Sequence, residues 1–259
     1  MKTTGKILVT VMLLYLLATP VYLSGRVKQI KCSSVEITVS DSSENGLITR
    51  GEVASMVRKE GTTLAGTGLK EIKLNEIEER IRARNEIKSA EAYVTIDGTL
   101  RIAVTPREPV LRLIVNGSDY FMDDEGVLFR KRKLYTPRVH VVTGNFEIRG
   151  PVAEGVSVLD TAAGETILKD VYNLVGFIRR DRFWSAQIDQ IRVAGNGDIS
   201  LVPRTAGHII NIGKIDGLEE KLENLKALYD KIMPLAGWDA YSLIDLQYKD
   251  QVVCRKKPK

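Results

Sequence analysis

The sequence predicts an α+β protein. A single N-terminal transmembrane helix should lead into a small β-α-α-β-β domain, followed by a mixed antiparallel β domain with flanking helices. Three observations predict this. Ile7 to Leu23 is an apolar run without a charge. From Ser33 onward, short alternating segments are divided by Gly-, Asn- and Asp-rich turns, which is strand patterning. Apolar residues recur at three and four only in a few places, above all between Gly164 and Arg180 and between Leu218 and Ile232, which is helix patterning. The composition agrees: 259 residues with 44% hydrophobic and 27% charged residues suffice for a core and exclude a disordered tail protein or a collagen-like fibre.

The apolar run defines a predicted anchor at 7–24 behind a cytoplasmic tail at 1–6. Its 17 uncharged residues would make a helix of about 26 Å, the short end of what spans a hydrocarbon core of roughly 30 Å. A cleaved signal peptide has a similar layout but wants two small residues spaced by one before the cut. Ala18 and Gly25 would be preceded at that spacing by Leu16 and Leu23, so an uncleaved anchor is expected. Lys2 and Lys6 on one side and Arg26, Lys28 and Lys31 on the other leave the charge rule undecided. The six-residue tail decides instead: a start-transfer segment so near the N-terminus exports everything after it.

The first exported domain is expected at 33–105. Val35, Ile37 and Val39 alternate in a strand from Ser33 to Ser40, followed by a polar turn from Asp41 to Gly46. Thr49 is placed to cap a helix through Val53, Met56 and Val57 that stops at Gly61. Leu64 to Lys70 is a loop of small residues. Asn75 would cap a second helix with Ile77 and Ile81 on one face. Ala90 to Ile96 and Leu100 to Val104 then form a hairpin about Asp97-Gly98.

The second domain is expected at 106–254, with a basic tail at 255–259. Strands are predicted at Val110 to Val115, Tyr120 to Met122, Val127 to Phe129 and Arg138 to Val142. The helix within Gly164–Arg180 carries Ile167, Val171, Leu174, Val175 and Ile178. Ala186 to Val193 and Ile199 to Val202 flank the turn Gly195-Asn196-Gly197, and His208 to Ile212 follows. A helix from Leu218 through Ile232 ends at Pro234. Tyr241 to Tyr248 and Gln251 to Cys254 close the chain as strands.

Catalytic constellations are missing from this pattern. Gly66-Thr67-Gly68-Leu69 lacks the Lys and Ser/Thr that a phosphate loop needs after its last glycine. Asp123-Asp124-Glu125 lacks the spaced ligands of a cation cage and is expected to be a solvated hairpin tip. His140 and His208 have no nucleophile in a recognisable elbow nearby. Two histidines and two cysteines are too few for a zinc cluster or a disulfide framework, and Cys32 and Cys254, at opposite ends of the exported part, are expected to stay unpaired. Arg130-Lys131-Arg132-Lys133 is expected to be a solvated loop rather than an anion-binding patch. The net charge of +5, from 38 basic and 33 acidic residues, comes without the basic stripe of a nucleic-acid binder. No catalytic residue, metal, cofactor, small-molecule substrate or nucleic acid is therefore expected.

The constructive signal is the C-terminal hairpin. Val252 and Val253 lie close enough behind the strand ending at Tyr248 to put the last strand at a sheet edge. An edge offers unpaired N–H and C=O groups that a second chain can extend. The candidate partner-binding residues are Tyr248, Lys249, Asp250, Gln251, Val252, Val253, Cys254 and Arg255, with Tyr241 as a further aromatic anchor beside Tyr248. At about 0.5–1.5 kcal/mol per hydrogen bond such pairing is weak. Confining both partners to one membrane raises effective concentration towards about millimolar and offsets that weakness.

Segments across nearly the whole chain resemble the cell-division FtsQ/DivIB family. The anchor followed by strand-helix-helix-strand-strand looks like a POTRA domain. The further matching segments are Ile77-Glu78-Glu79-Arg80-Ile81, Ala90-Glu91-Ala92-Tyr93-Val94, Leu100-Arg101-Ile102-Ala103-Val104, Arg107-Glu108-Pro109-Val110-Leu111-Arg112, Tyr120-Phe121-Met122-Asp123-Asp124-Glu125-Gly126 and Ile244-Asp245-Leu246-Gln247-Tyr248. Their order carries the resemblance. It implies a non-catalytic divisome scaffold in the cytoplasmic (inner) membrane at the septum, its N-terminus in the cytoplasm and its bulk on the periplasmic side. FtsB/FtsL-like partners and a link to septal peptidoglycan synthesis are implied with it, the POTRA region contributing to recruitment. The chain departs from the family at Gln247, where Arg is frequent, and at Lys249-Asp250-Gln251, where a Gly is frequent. The alternative is another POTRA-bearing envelope protein acting as a secretion or chaperone module. Such outer-membrane proteins continue into many alternating strands, which this sequence lacks.

Overall fold

A computed structural model describes residues 12–19, 31–40, 47–58, 64–130, 137–144, 146, 154–160, 166–205 and 207–258. Of the predicted anchor 7–24 it describes 12–19, all helical (α1). The rest of that segment, the tail 1–6, the turn at 41–46 and residues 131–133 of the basic run lie outside the described residues. Among the described residues no helix is long and apolar enough to cross a membrane. The chain divides into two compact units, Met1–Pro106 and Arg107–Lys259.

The first unit runs β1 (Ser34–Val39), α2 (Arg50–Val57), α3 (Leu74–Arg82), β2 (Ile87–Val94) and β3 (Thr99–Pro106). Its sheet has the order β1-β3-β2, β1 parallel and β2 antiparallel to β3. Thr49 makes a full capping box with Glu52, taking the Glu52 N–H and giving its own N–H to the Glu52 carboxylate. The helix stops at Val57, short of the expected Gly61. α3 starts one residue before Asn75, so Asn75 is not its cap; the Lys73–Glu76 ion pair lies across the first turn instead. Val53, Val57, Ile77 and Ile81 share one core with Ala90, Ala92, Leu100, Ile102 and Val104. Gly98, at φ 84°, supplies the left-handed residue that the tight β2–β3 turn requires.

The described residues of the second unit form nine strands. In chain order these are β4 (Pro109–Val115), β5 (Ser118–Asp123), β6 (Leu128–Arg130), β7 (His140–Gly144), β8 (Ile188–Val193), β9 (Ile199–Pro203), β10 (Ile209–Gly213), β11 (Tyr241–Asp245) and β12 (Val253–Lys256). They form one sheet of order β12-β11-β10-β9-β8-β7-β4-β5-β6. The sheet is mixed: β4–β7, β7–β8 and β10–β11 are parallel, the other pairs antiparallel. The helices are α4 (Ile167–Arg180), α5 (Arg182–Gln187), α6 (Leu218–Lys231) and α7 (Met233–Ala236). Leu168, Val171, Leu174, Val175 and Ile178 of α4 and Leu222, Leu225 and Tyr229 of α6 join Leu113, Val142, Ile191, Leu201, Ile210 and Ile244 in one core. The alternate residues Asp189, Arg192 and Asn211 lie outside that core, whereas at the β5–β6 end Phe121 and Phe129, on the face opposite Met122 and Leu128, are buried as well.

Local hydrogen bonds explain where elements depart from the sequence pattern. α5 occupies Ala186 and Gln187, expected to be strand, because the Asp181 carboxylate accepts from the N–H of Phe183 (2.7 Å) and Trp184 (3.1 Å) and starts a helical turn. β11 stops at Asp245 rather than Tyr248: the Leu246 N–H goes to Asn211 O and the Gln247 N–H to the Asp245 carboxylate, which opens the turn. α6 ends at Lys231, and Pro234 sits in the first turn of α7, where its missing N–H costs nothing.

The acidic turn after β5 is solvated at Asp124 and Glu125, which are exposed, but not at Asp123. Asp123 is fully buried. Its Oδ1 accepts from the N–H of Glu125 (3.1 Å) and Val127 (2.8 Å), and its Oδ2 pairs with Arg107 at 2.5 Å. A carboxylate that satisfies two turn amides and one guanidinium is an organising centre for the hairpin.

Candidate functional site

The C-terminal hairpin holds the predicted site residues, and α6 flanks its turn. β11 lies between β10 and β12, pairing in parallel with the first and antiparallel with the second. The register sets Ile244 against Cys254 and Asp245 against Val253, with Ser242 as the extra residue of a bulge. β12 therefore ends the sheet, and among the described residues it has β11 alone as a strand neighbour.

Hydrogen-bond direction alternates along such a strand. The Lys257 N–H donates to Ala240 O at 3.0 Å, and Arg255 O accepts from the Ser242 hydroxyl, so Arg255 and Lys257 turn their backbone groups inward to β11. Alternation then aims the N–H and C=O of Cys254 and Lys256 at the open side. The side chains alternate too. Val252 and Cys254 pack against the core, whereas Val253 is 45% exposed and Arg255 and Lys256 are exposed. Neither Arg255 nor Lys256 forms an ion pair among the described residues, so two unneutralised cations flank the outward backbone. Burial pushes the Cys254 thiol up, which keeps it protonated and unreactive.

The turn between the strands lies beside the N-terminus of α6. A cavity of about 250 Å³ opens there, lined on the helix side by Glu220, Lys221 and Asn224 and on the turn side by Gln247, Tyr248 and Gln251. Tyr248 is 56% exposed, and Lys249 and Asp250 are exposed in the turn, Asp250 at φ 56°. Tyr241 is unlike Tyr248: it sits half-buried against the core at the far end of β11. The structure thus brings Tyr248 to Arg255 together along one hairpin and sets Tyr241 apart from the turn. The helix side of the cavity escaped the sequence pattern, because Glu220, Lys221 and Asn224 read there only as the polar face of α6.

Elsewhere several polar side chains have structural occupations, while His140 Nε2 is buried with no hydrogen-bond partner among the described residues. His208 is buried, its Nε2 2.7 Å from the Tyr229 hydroxyl, and burial pushes the imidazole down and the phenol up. His140 is lowered by burial and then by Arg179 and Arg204. Arg130, the first residue of the basic run, pairs with Glu154 at 2.8 Å and lies over the Tyr120 ring. Gly66 and Thr67 of the glycine-rich loop bond the backbone of Cys32. Both cysteines are free. No group of three or more potential metal ligands occurs among the described residues.

A family model described as "FtsQ/DivIB, C-terminal related" matches residues 108–255, and a POTRA-like domain model matches residues 30–105. The chain belongs to the FtsQ/DivIB family. The first match runs from the start of β4 through Arg255 in β12, one residue short of the strand's end, and the second takes in β1 to β3 except Pro106. FtsQ/DivIB membership points to a cell-division scaffold with divisome protein–protein interactions and a septal, membrane-associated setting. Domains of this family are generally non-catalytic. No curated protein matches the chain.

Proposed function

We propose that this FtsQ/DivIB protein is a single-pass divisome scaffold that captures an extended segment of an FtsB/FtsL-like partner along the outer side of β12, and so links and regulates septal peptidoglycan synthesis. In this reading 7–24 crosses the cytoplasmic membrane, 1–6 stays in the cytoplasm, and the units 33–105 and 106–254 with the tail 255–259 work outside. The chain does so without catalysis. The observation that carries the proposal is the geometry of β12: outward backbone groups at Cys254 and Lys256, exposed Val253, and the unneutralised Arg255 and Lys256. A guest strand with alternating apolar and acidic residues fits that edge, and the cavity beside Tyr248 would take one bulky side chain from the guest's end. β1 also ends a sheet without a described strand outside it, but its one charged residue, Glu36, is already paired with Arg101. That difference favours β12.

Amide hydrogen exchange on the full chain tests the proposal. Adding an FtsB-like segment should slow exchange at Cys254 and Lys256, the outward amides, more than at Val253 and Arg255, which already face β11. Equal exchange at all four with and without the segment sinks it.

A further inference from the structure

The three-stranded unit has a second exposed border, the outer side of β2, and it is not left open. The Thr95 N–H donates to Thr99 O at 3.0 Å, so Thr95 faces β3. Alternation then turns Tyr93 and Glu91 towards β3 and aims the amides of Ala90, Ala92 and Val94 away from the sheet. The middle one of these three is occupied: the Ala92 N–H donates to Glu78 Oε1 at 2.8 Å. Glu78 belongs to α3, fourteen residues away. Its other oxygen accepts from Arg82 Nη2 at 3.2 Å, one helical turn on, which fixes the carboxylate against the strand. Glu78 is therefore braced at one oxygen and closes the edge with the other.

We infer that Glu78 is an edge guard, a side chain that keeps β2 from pairing with β2 of a second copy of this chain. The argument is steric and electrostatic at once. A guest strand must bring a carbonyl oxygen to the Ala92 N–H, the place Glu78 Oε1 already fills, and carbonyl and carboxylate oxygens repel. β2 otherwise has what self-pairing wants: eight residues in one strand, with Ala90 and Ala92 small enough for a close backbone approach and Tyr93 exposed. Strands of this kind are managed in folded proteins by a charge at the edge, and here the charge comes from the packed helix. The partner kept out is a copy of this chain because septal confinement makes like copies the strands most often met at millimolar-scale effective concentration.

The test uses the full chain with two substitutions. Glu78→Ala removes the acceptor; Glu78→Asp keeps the charge but withdraws it by one methylene, which covers the case in which the alanine variant fails to fold. In either variant the Ala92 amide should exchange about tenfold faster or more at low protein concentration. On concentration a dimer should appear by sedimentation, with the amides of Ala90 and Val94 slowed in it. Glu78→Gln retains an acceptor oxygen and should stay monomeric where the parent chain does. Unchanged Ala92 exchange overturns the inference, as does a folded Glu78→Asp chain with the parent's sedimentation at every concentration. The FtsB/FtsL reading is untouched by either result, since β12 lies in the other unit.

Discussion

Replacing Lys256 with proline separates strand addition from every other way this hairpin could hold a partner. The Lys256 N–H faces away from β11, so proline there removes a donor that the fold itself does not use, a position at which an edge strand tolerates proline. With Cys254 and Lys256 each presenting one N–H and one C=O outward, a guest strand would make about four backbone bonds of about 0.5–1.5 kcal/mol each. Losing the Lys256 bond should weaken binding by about 2- to 12-fold, and the ring, standing where the guest backbone must come, adds to that. Lys256→Ala is the necessary companion, because it deletes the same cation and keeps the amide. The quantity to measure is the affinity ratio of the two variants for an FtsB-like segment, by titration calorimetry on the full chain. Val253→Pro is the misleading variant: the Val253 amide points at β11, so it would damage the hairpin before any partner arrives. Equal affinities of Lys256→Pro and Lys256→Ala would refute backbone pairing at this edge.

Two further outcomes concern the second unit. Asp123→Ala takes the acceptor from two turn amides and leaves the mostly buried Arg107 guanidinium with Glu125 as its ion-pair partner, so it should cost about 1–3 kcal/mol and lower the midpoint of the unit by roughly 5 °C. Both tryptophans, Trp184 and Trp238, lie in this unit, so a fluorescence melt reads it alone; a shift below 2 °C contradicts the account. Acid should also act through the histidines. Burial lowers both His208 and His140 below the ordinary imidazole value, so the unfolded state binds protons first. Stability should be full above about pH 6.5 and fall as the pH drops through the window beneath it, by at most about 1.4 kcal/mol per pH unit for each group. A urea midpoint flat between pH 7 and 5 in an Asp123-intact chain would contradict it.

Local chemistry was legible in the sequence and long-range pairing was not. Thr49 with Glu52, the glycine turns at Gly98 and Gly197, and the stripes of α4 and α6 are written within a few residues of where they act. So is the adjacency of the last two strands, because a short turn joins them. The parallel pairings β4–β7–β8 and β10–β11 depend on which crossovers bury α4 and α6, and periodicity does not carry that. Asp123 looked like a surface acid because its guanidinium stands sixteen residues earlier. The aim of the β12 amides was beyond reach for a narrower reason. It turns on the bounds of the strand and on one extra residue, Ser242, either of which reverses the parity if misplaced by one. Glu78 lay inside a segment that the family resemblance had already picked out, but nothing in its i, i+4 spacing to Arg82 distinguishes a helix ion pair from a brace.

The far border of the large sheet behaves differently from β12. Beyond β6 the chain folds back on itself: Gly155 donates to Leu128 O at 2.8 Å, Val158 donates to Gly126 O at 2.9 Å, and Ser157 bridges to Val127. A sheet extendable from both sides can grow without limit as chain joins chain. Among the described residues this one has a blind end, so under the proposed reading a guest taken at the opposite side would terminate the array, and this sheet would have room for one visitor rather than a place in a fibre.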